Sequence, residues 1–183
     1  MELLQIVKEI KYERENLYKL LKNKYDLTAW QEQVLIDKSD DSNITIYDRQ
    51  ERRQGTTTCL LLKVFKNIFI DGKDNNVIII SNTFASSEYA KNMFIEILEK
   101  LEVADQIKSR NKYNIKLKNG INIRFTNGNY DNLRGSHQNQ EIFVDDFINT
   151  EMHFLRLQNT LNPLMPSHIH IFQCGTDINF IDL

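Results

Sequence analysis

The sequence predicts an α/β fold, a three-layer sandwich around a mostly parallel central sheet with one β-hairpin. Three observations carry this prediction. Short β-branched or apolar runs alternate with helical patterns, giving strand, helix, strand, helix between residues 44 and 101. The run Val77-Ile-Ile-Ile80 is apolar at every position, as expected of a parallel strand covered on both faces. The pair Asn119-Gly120 sits between two alternating stretches over 113–126, the strongest short-range signal for a two-residue hairpin turn.

Taken in order, residues 1–25 space Leu3, Val7, Ile10, Leu17 and Leu21 as one stripe of an amphipathic N-terminal helix. Ile44-Thr-Ile-Tyr47 alternates as a strand, the polar segment Asp48 to Gly55 as a loop, and Cys59 to Phe69 as a helix. After the strand at 77–80, Thr83 caps a helix whose stripe is Ala90, Met93, Phe94, Ile97, Leu98 and Leu101. Two further strands are Glu141 to Asp145 and Ile169 to Phe172. Between them a helix-like stretch with Met152, Leu155 and Leu157 is closed by Pro163 and Pro166. No repeat, linker or composition break divides the chain, so 1–183 reads as a single domain.

The 183 residues suffice for a sizeable core, and a formal net charge of -2 with interspersed signs gives no global field for nucleic acid. Any such contact is local. Cys59 and Cys174 lie far apart inside apolar runs and read as two buried thiols in a reducing compartment. No segment approaches the ~20 apolar residues that span a bilayer, so the expectation is a soluble intracellular protein without a membrane partner.

The loop before the second helix reads Arg52-Arg53-Gln54-Gly55-Thr56-Thr57-Thr58. A strand, a glycine turn and a helix that opens on hydroxyl residues point backbone N–H groups and a helix dipole at a phosphate. Against G-x-x-x-x-G-K-[ST], Gly55 and Thr57 match, but Gln50 stands for the first glycine and Thr56 for the lysine. Taken alone, the segment reads better as a solvated basic turn before a helix. The strand ending in Asp145-Asp146 has the form of a Walker B element, whose carboxylate reaches a magnesium ion and whose second acid polarises a water. Paired acids at a strand end also serve as caps of a following helix. In an open α/β sheet both the Gly55 loop and Asp145 fall at the carboxyl edge, where ligands bind.

Six segments in order give the chain a resemblance to a known family. Leu27-Thr-Ala-Trp-Gln31 looks like a Q motif, 52–58 like an Arg-rich P-loop, and Asn119-Gly120 lies in a hairpin at the matching place. Leu133-Arg134-Gly135 precedes Val144-Asp145-Asp146, and Cys174-Gly175-Thr176 is similar to a coupling motif after the last strand. Over 27–178 the chain resembles the N-terminal ATPase, or motor, domain of the DNA-packaging terminase large subunits of tailed phages and related viruses.

The resemblance implies an ASCE-like P-loop NTPase core over 27–178, with ATP and Mg²⁺ as cofactors. It implies that Trp30, Gln31 and residues 52–58, namely Arg52, Arg53, Gln54, Gly55, Thr56, Thr57 and Thr58, bind the nucleotide. Thr57 and Asp145 hold the metal, Asp146 orients the water, Arg134 serves as an arginine finger and Thr176 couples hydrolysis to movement. It implies double-stranded DNA, a portal protein and a small terminase subunit as partners. The expected assembly is a homo-oligomeric ring when active and a monomer in isolation, in the cytoplasm of the infected host cell and transiently at the procapsid portal. The pattern departs from the family in its Asp-Asp pair where Asp-Glu is usual, in the absent lysine, and in the short tail after 178, which leaves no room for the nuclease domain. Arg52 and Arg53 are available to replace the lysine.

Two rival readings remain at this stage, a terminase-like nucleotide- or DNA-binding module with weak or no catalysis, and a helicase-like ATPase. Other residues have plain alternatives. Trp30 also fits the core, and Arg134 also fits a surface ion pair. Lys108, Arg110, Lys112, Lys116, Lys118 and Arg124 fit either a DNA-phosphate track or a solvated hairpin face. His168 and His170 share one strand face, and without further ligands nearby packing accounts for them better than zinc.

Overall fold

The structure, a computed structural model, describes residues 2–37, 44–49, 55–127, 140–147 and 166–174. Helix α1 (Glu2–Lys24) leads into α2 (Ala29–Ile36), β1 (Ile44–Arg49) and α3 (Thr56–Phe65). A π-helical turn, Lys66–Ile70, extends α3 and is followed by β2 (Asn76–Ser81) and α4 (Phe84–Lys100). A 3-10 turn at Ala104–Gln106 then leads to β3 (Ile107–Arg110), β4 (Asn114–Leu117), β5 (Asn122–Asn127), β6 (Gln140–Phe147) and β7 (His168–Cys174).

The seven strands form one sheet in the order β1-β7-β6-β2-β5-β4-β3. The first five are mutually parallel, and β4 and β3 continue the sheet antiparallel. The parallel block follows from its composition: Val77, Ile78, Ile79 and Ile80 are all buried, each worth about 1.5–3 kcal/mol of burial. Alternation divides them. Val77 and Ile79 join the main core with Phe143, Phe172, Ile123 and the inner faces of α3 and α4, whereas Ile78 and Ile80 join Ile142, Val144 and Ile171 in a second cluster.

Three sequence expectations are corrected in detail. The turn at Asn119-Gly120 is a three-residue loop, 118–120, because Leu117 pairs with Ile121 and the Gly120 N–H donates to the Leu117 carbonyl at 3.1 Å. Gly120 sits at φ +96°, the left-handed position that closes such a loop with a one-residue bulge. The helix expected through Phe69 changes its winding at Lys66, and the Asp71 N–H closes the π turn on the Lys66 carbonyl at 2.8 Å. Along α1, Leu17 and Leu21 reach the core while Ile10 is 43% exposed, so the apolar stripe docks by its C-terminal half. The side chains of Leu3 and Val7 lie outside the described part.

The hairpin itself is present as β4 and β5, and β3 adds one more strand at its edge. Thr83 caps α4 as expected, its hydroxyl accepting from the Ser86 N–H at 3.0 Å. Among the described residues, no helix is long and apolar enough to cross a membrane.

Candidate nucleotide-binding site

Because β1, β7 and β6 are parallel, the ends of β1 at Arg49 and of β6 at Phe147 lie on the same edge of the sheet, with β7 inserted between them. Helix α3 starts at that edge. Its N-cap is Gly55, in the left-handed region at φ 73° and ψ 45°, and the Gly55 carbonyl accepts the first helical bond from the Cys59 N–H at 2.8 Å. A residue with a Cβ would adopt this conformation at a cost of about 1–2 kcal/mol. The first turn of α3 therefore presents its N–H groups and the positive end of its dipole to the carboxyl edge.

On that turn, the Thr57 hydroxyl donates to both oxygens of Asp145, at 2.9 Å to Oδ2 and 3.2 Å to Oδ1. The contact joins residues 88 positions apart in the chain. Asp145 is 5% exposed, and strand alternation puts it on the α3 face with Glu141 and Phe143. The register between β6 and β7 shifts between Val144 and Phe147, a bulge that falls on the Asp145-Asp146 pair. Ser81 ends the neighbouring strand β2 one step beyond the Ile80–Val144 pair, and its buried hydroxyl has no hydrogen-bond partner among the described residues.

A divalent cation of the magnesium type fits this donor set. The donors are oxygens only, a threonine hydroxyl and a carboxylate already within 2.9 Å of each other, with the orphaned Ser81 hydroxyl beside them. Mg²⁺ takes one or two carboxylates, a hydroxyl, waters and substrate phosphates.

The segment 27–31 reaches the same place. Thr28 caps α2 in a reciprocal box: its hydroxyl accepts from the Gln31 N–H at 3.3 Å, and Gln31 Oε1 accepts from the Thr28 N–H at 3.0 Å. The other pole of that amide, Gln31 Nε2, lies 3.5 Å from the Gly55 carbonyl. Trp30 is half-buried against the main core. Thr56 opens α3, and the Thr58 hydroxyl turns toward α4, 3.6 Å from Met93 Sδ. Arg52, Arg53, Gln54, Arg134 and Thr176 lie outside the described residues, as does the side chain of Asp146.

Two buried charged residues, Lys63 and Glu141, carry no obvious signal in the sequence. Lys63, 2% exposed, donates from α3 to the carbonyls of Val34 at 2.8 Å and Asp37 at 2.6 Å, at the end of α2. Burial pushes its ammonium down to about 8. At the amino edge of the sheet, Glu141 Oε1 accepts from Asn67 Nδ2 at 2.8 Å, His170 Nε2 at 2.9 Å and Lys73 Nζ at 3.0 Å. Burial opposes ionisation of Glu141, and the donors from His170 and Lys73 outweigh it, holding the carboxyl below its ordinary range. His170 is itself held neutral by burial, donating through Nε2 while Nδ1 meets the Tyr47 hydroxyl at 3.2 Å. The two histidines do share one face, and His168 Nε2 meets the Thr45 hydroxyl at 2.8 Å.

Cys59 is buried, and burial pushes its thiol up to about 12, which leaves it unreactive. Lys108, Arg110, Lys112, Lys116 and Lys118 are exposed around the β3–β5 meander, Lys118 pairing with Asp105 at 3.4 Å.

No protein-family model and no curated protein sequence matches the chain. Solved structures do. It is similar to the large terminase ATPase domain of Thermus phage P74-26, at TM-score 0.63 and 14% identity, over 89% of this chain and 70% of that one. A point mutant of that domain matches with TM-score 0.63, 15% identity and the same coverage. The large terminase of a thermophilic bacteriophage matches at TM-score 0.55 and 16% identity, over 82% of this chain and 39% of that longer one. The chain therefore shares its fold with phage large terminase ATPase domains.

Proposed function

We propose that this chain is an ATPase domain of the terminase type, which powers the movement of viral double-stranded DNA into a procapsid. The observation that carries the reading is the Thr57–Asp145 contact behind the Gly55 turn. It supports the reading because it joins a hydroxyl on the first turn of a helix to a strand-end carboxylate, the kind of pair that a magnesium-bound triphosphate at a helix N-terminus requires. The fold shared with terminase ATPase domains supplies the context.

In this reading the N–H groups of the first turn of α3 cradle the β and γ phosphates, and Thr56 and Thr58 line the turn with Gln54. Arg52 or Arg53 supplies the cation that lysine provides elsewhere. Thr57 and Asp145 would hold Mg²⁺, which neutralises charge on the β and γ oxygens when bound. Asp146 orients a water so that its oxygen attacks the γ phosphorus as the bond to the β-γ bridging oxygen breaks, releasing ADP and phosphate. Arg134, offered by a neighbouring subunit of a ring, stabilises charge on the transferred group. Trp30 and Gln31 hold the adenine, and Thr176 couples turnover to motion. The partners are then DNA, a portal protein and a small terminase subunit, met in the cytoplasm of the infected cell and at the procapsid portal.

The replacement of the P-loop lysine by Thr56 favours one second reading, a binding module that keeps the site without turnover. Steady-state ATP hydrolysis and nucleotide binding, with and without Mg²⁺ and double-stranded DNA and over a range of protein concentrations, separate the two. Metal-dependent turnover that DNA stimulates supports the motor. Metal-dependent binding without turnover supports the module, and no binding at all sinks both.

A further inference from the structure

A lysine ammonium buried at the 2% level is costly unless its protons are taken, and an apolar side chain would fill the same space with less penalty. Lys63 is nonetheless committed to two backbone carbonyls, Val34 and the C-cap residue Asp37. These are the last turn of α2, where the negative end of a helix dipole favours a cation. At the other end of α2, Gln31 Nε2 meets the carbonyl of Gly55, the N-cap of α3.

The two contacts bracket α2. The spans from 31 to 37 and from 55 to 63 are both read N-terminus first, so α2 and α3 lie side by side and run the same way. Side-by-side parallel helices repel through their dipoles, and a cation from one at the carbonyl end of the other offsets this. Both N-termini then converge on the edge where Thr57 meets Asp145.

We infer that Lys63 is a positioning residue for base recognition: it fixes α2 along α3 so that Trp30 and Gln31 are held at the nucleotide. This rests on the proposed nucleotide site and adds a residue that does not touch the ligand. It distinguishes two parts of one substrate. The triphosphate engages the N–H groups of the Gly55 turn, which Lys63 does not touch and which α2 meets only at the Gly55 carbonyl, whereas the base engages α2 itself, which Lys63 fixes.

The test compares the full chain with Lys63→Met, Gln31→Ala and the double variant, titrated with ATP and with inorganic tripolyphosphate, alongside amide exchange of residues 29–36. Lys63→Met is expected to weaken ATP by about tenfold, the loss of one or two charge-assisted contacts' worth of alignment, and tripolyphosphate by no more than about twofold. Exchange should rise in α2 and not in α4. In the Gln31→Ala background, Lys63→Met should cost less ATP affinity than it does alone, because part of its effect runs through Gln31 and only the part that runs through Trp30 remains.

ATP affinity that is unchanged, or that falls in step with tripolyphosphate, or losses that simply add in the double variant, each overturn the inference. A wild-type chain that binds neither ligand overturns the proposed function and this inference with it, so the two failures are told apart. Should Lys63→Met not fold, Lys63→Leu in the presence of a stabilising osmolyte is judged by the same criteria, and Lys63→Arg, which keeps the charge and donors, should restore ATP affinity.

Discussion

Thr57 and Asp145 are joined across 88 residues by a hydroxyl that reaches both carboxylate oxygens, at 2.9 and 3.2 Å. The contact ties the first turn of α3 to the end of β6, and it makes two substitutions separable. Asp145→Asn keeps an acceptor for the Thr57 hydroxyl and removes the charge. Its melting temperature should stay near that of the wild type, while Mg²⁺-dependent ATP affinity or turnover falls by on the order of 10². Thr57→Val leaves the buried carboxylate short of a donor, so it should lose the same activity and also about 1–3 kcal/mol of stability in urea unfolding. An Asp145→Asn chain that unfolds instead would make the acid a structural cap.

Gly55 and Gln31 offer a second test, of the turn itself. At φ +73° a side chain is strained, and an added Cβ would lie 3.2 Å from Gln31 Nε2. Gly55→Ala should cost about 1–2 kcal/mol from the backbone alone. Part of any further loss comes from crowding Gln31, so Gly55→Ala should cost less in a Gln31→Ala background than in the wild type. Equal costs in a urea-denaturation cycle would show that the two side chains do not meet.

What the sequence made legible were the features written in neighbouring residues. The apolar run at 77–80, the Thr83 cap and the alternation around Asn119-Gly120 each depend on local chemistry, and each appears in the structure at its expected place. β3 was not legible, because an edge strand reading Ile107-Lys-Ser-Arg110 buries little and needs only one apolar residue. The pairing of Thr57 with Asp145 could be anticipated only from the resemblance, since no local pattern links residues 88 apart. Lys63 and Glu141 were illegible for the opposite reason. A lysine in a helix and a glutamate at a strand start look like surface residues until the fold folds Val34, Asp37, Asn67 and His170 around them.

The titratable groups at the amino edge, buried Glu141 and His170 and half-buried His168, set an acid limit on stability. Burial lowers His168 from 6.5 to about 4 and also lowers His170, so the unfolded chain takes up protons first as the pH falls. Their contribution is fully present above about pH 6.5 and is lost as pH falls toward the folded values. Glu141 adds a second loss at lower pH, because its carboxyl is depressed from 4.5 to about 2. Stability should therefore decline from near pH 6.5 and steepen below about pH 4.5. His168→Gln keeps a partner for the Thr45 hydroxyl and does not titrate, so its decline between pH 6.5 and 4 should be shallower. A wild-type profile flat down to pH 4.5 would contradict histidines held neutral in the fold.

The last prediction concerns the cation that a triphosphate site requires. With Thr56 where the P-loop lysine would stand, the N–H groups of α3 and its dipole offset only part of the charge on the β and γ phosphates. Arg52 and Arg53 immediately precede the Gly55 turn in the chain, and an arginine can grip a phosphate through two N–H groups at once. One of them should supply the missing contact. Its change to Ala should weaken ATP more than AMP, because only the β and γ phosphates lose a charge-assisted bond of about 1.5–3 kcal/mol. The other arginine should be close to neutral. Thr56→Lys is the converse: on a turn already shaped by Gly55 the restored lysine should be accepted and should raise affinity or turnover. If Arg52→Ala and Arg53→Ala both leave the ATP-to-AMP preference unchanged and Thr56→Lys adds nothing, the loop does not bind a triphosphate. The chain would then share the fold of the motor without its chemistry.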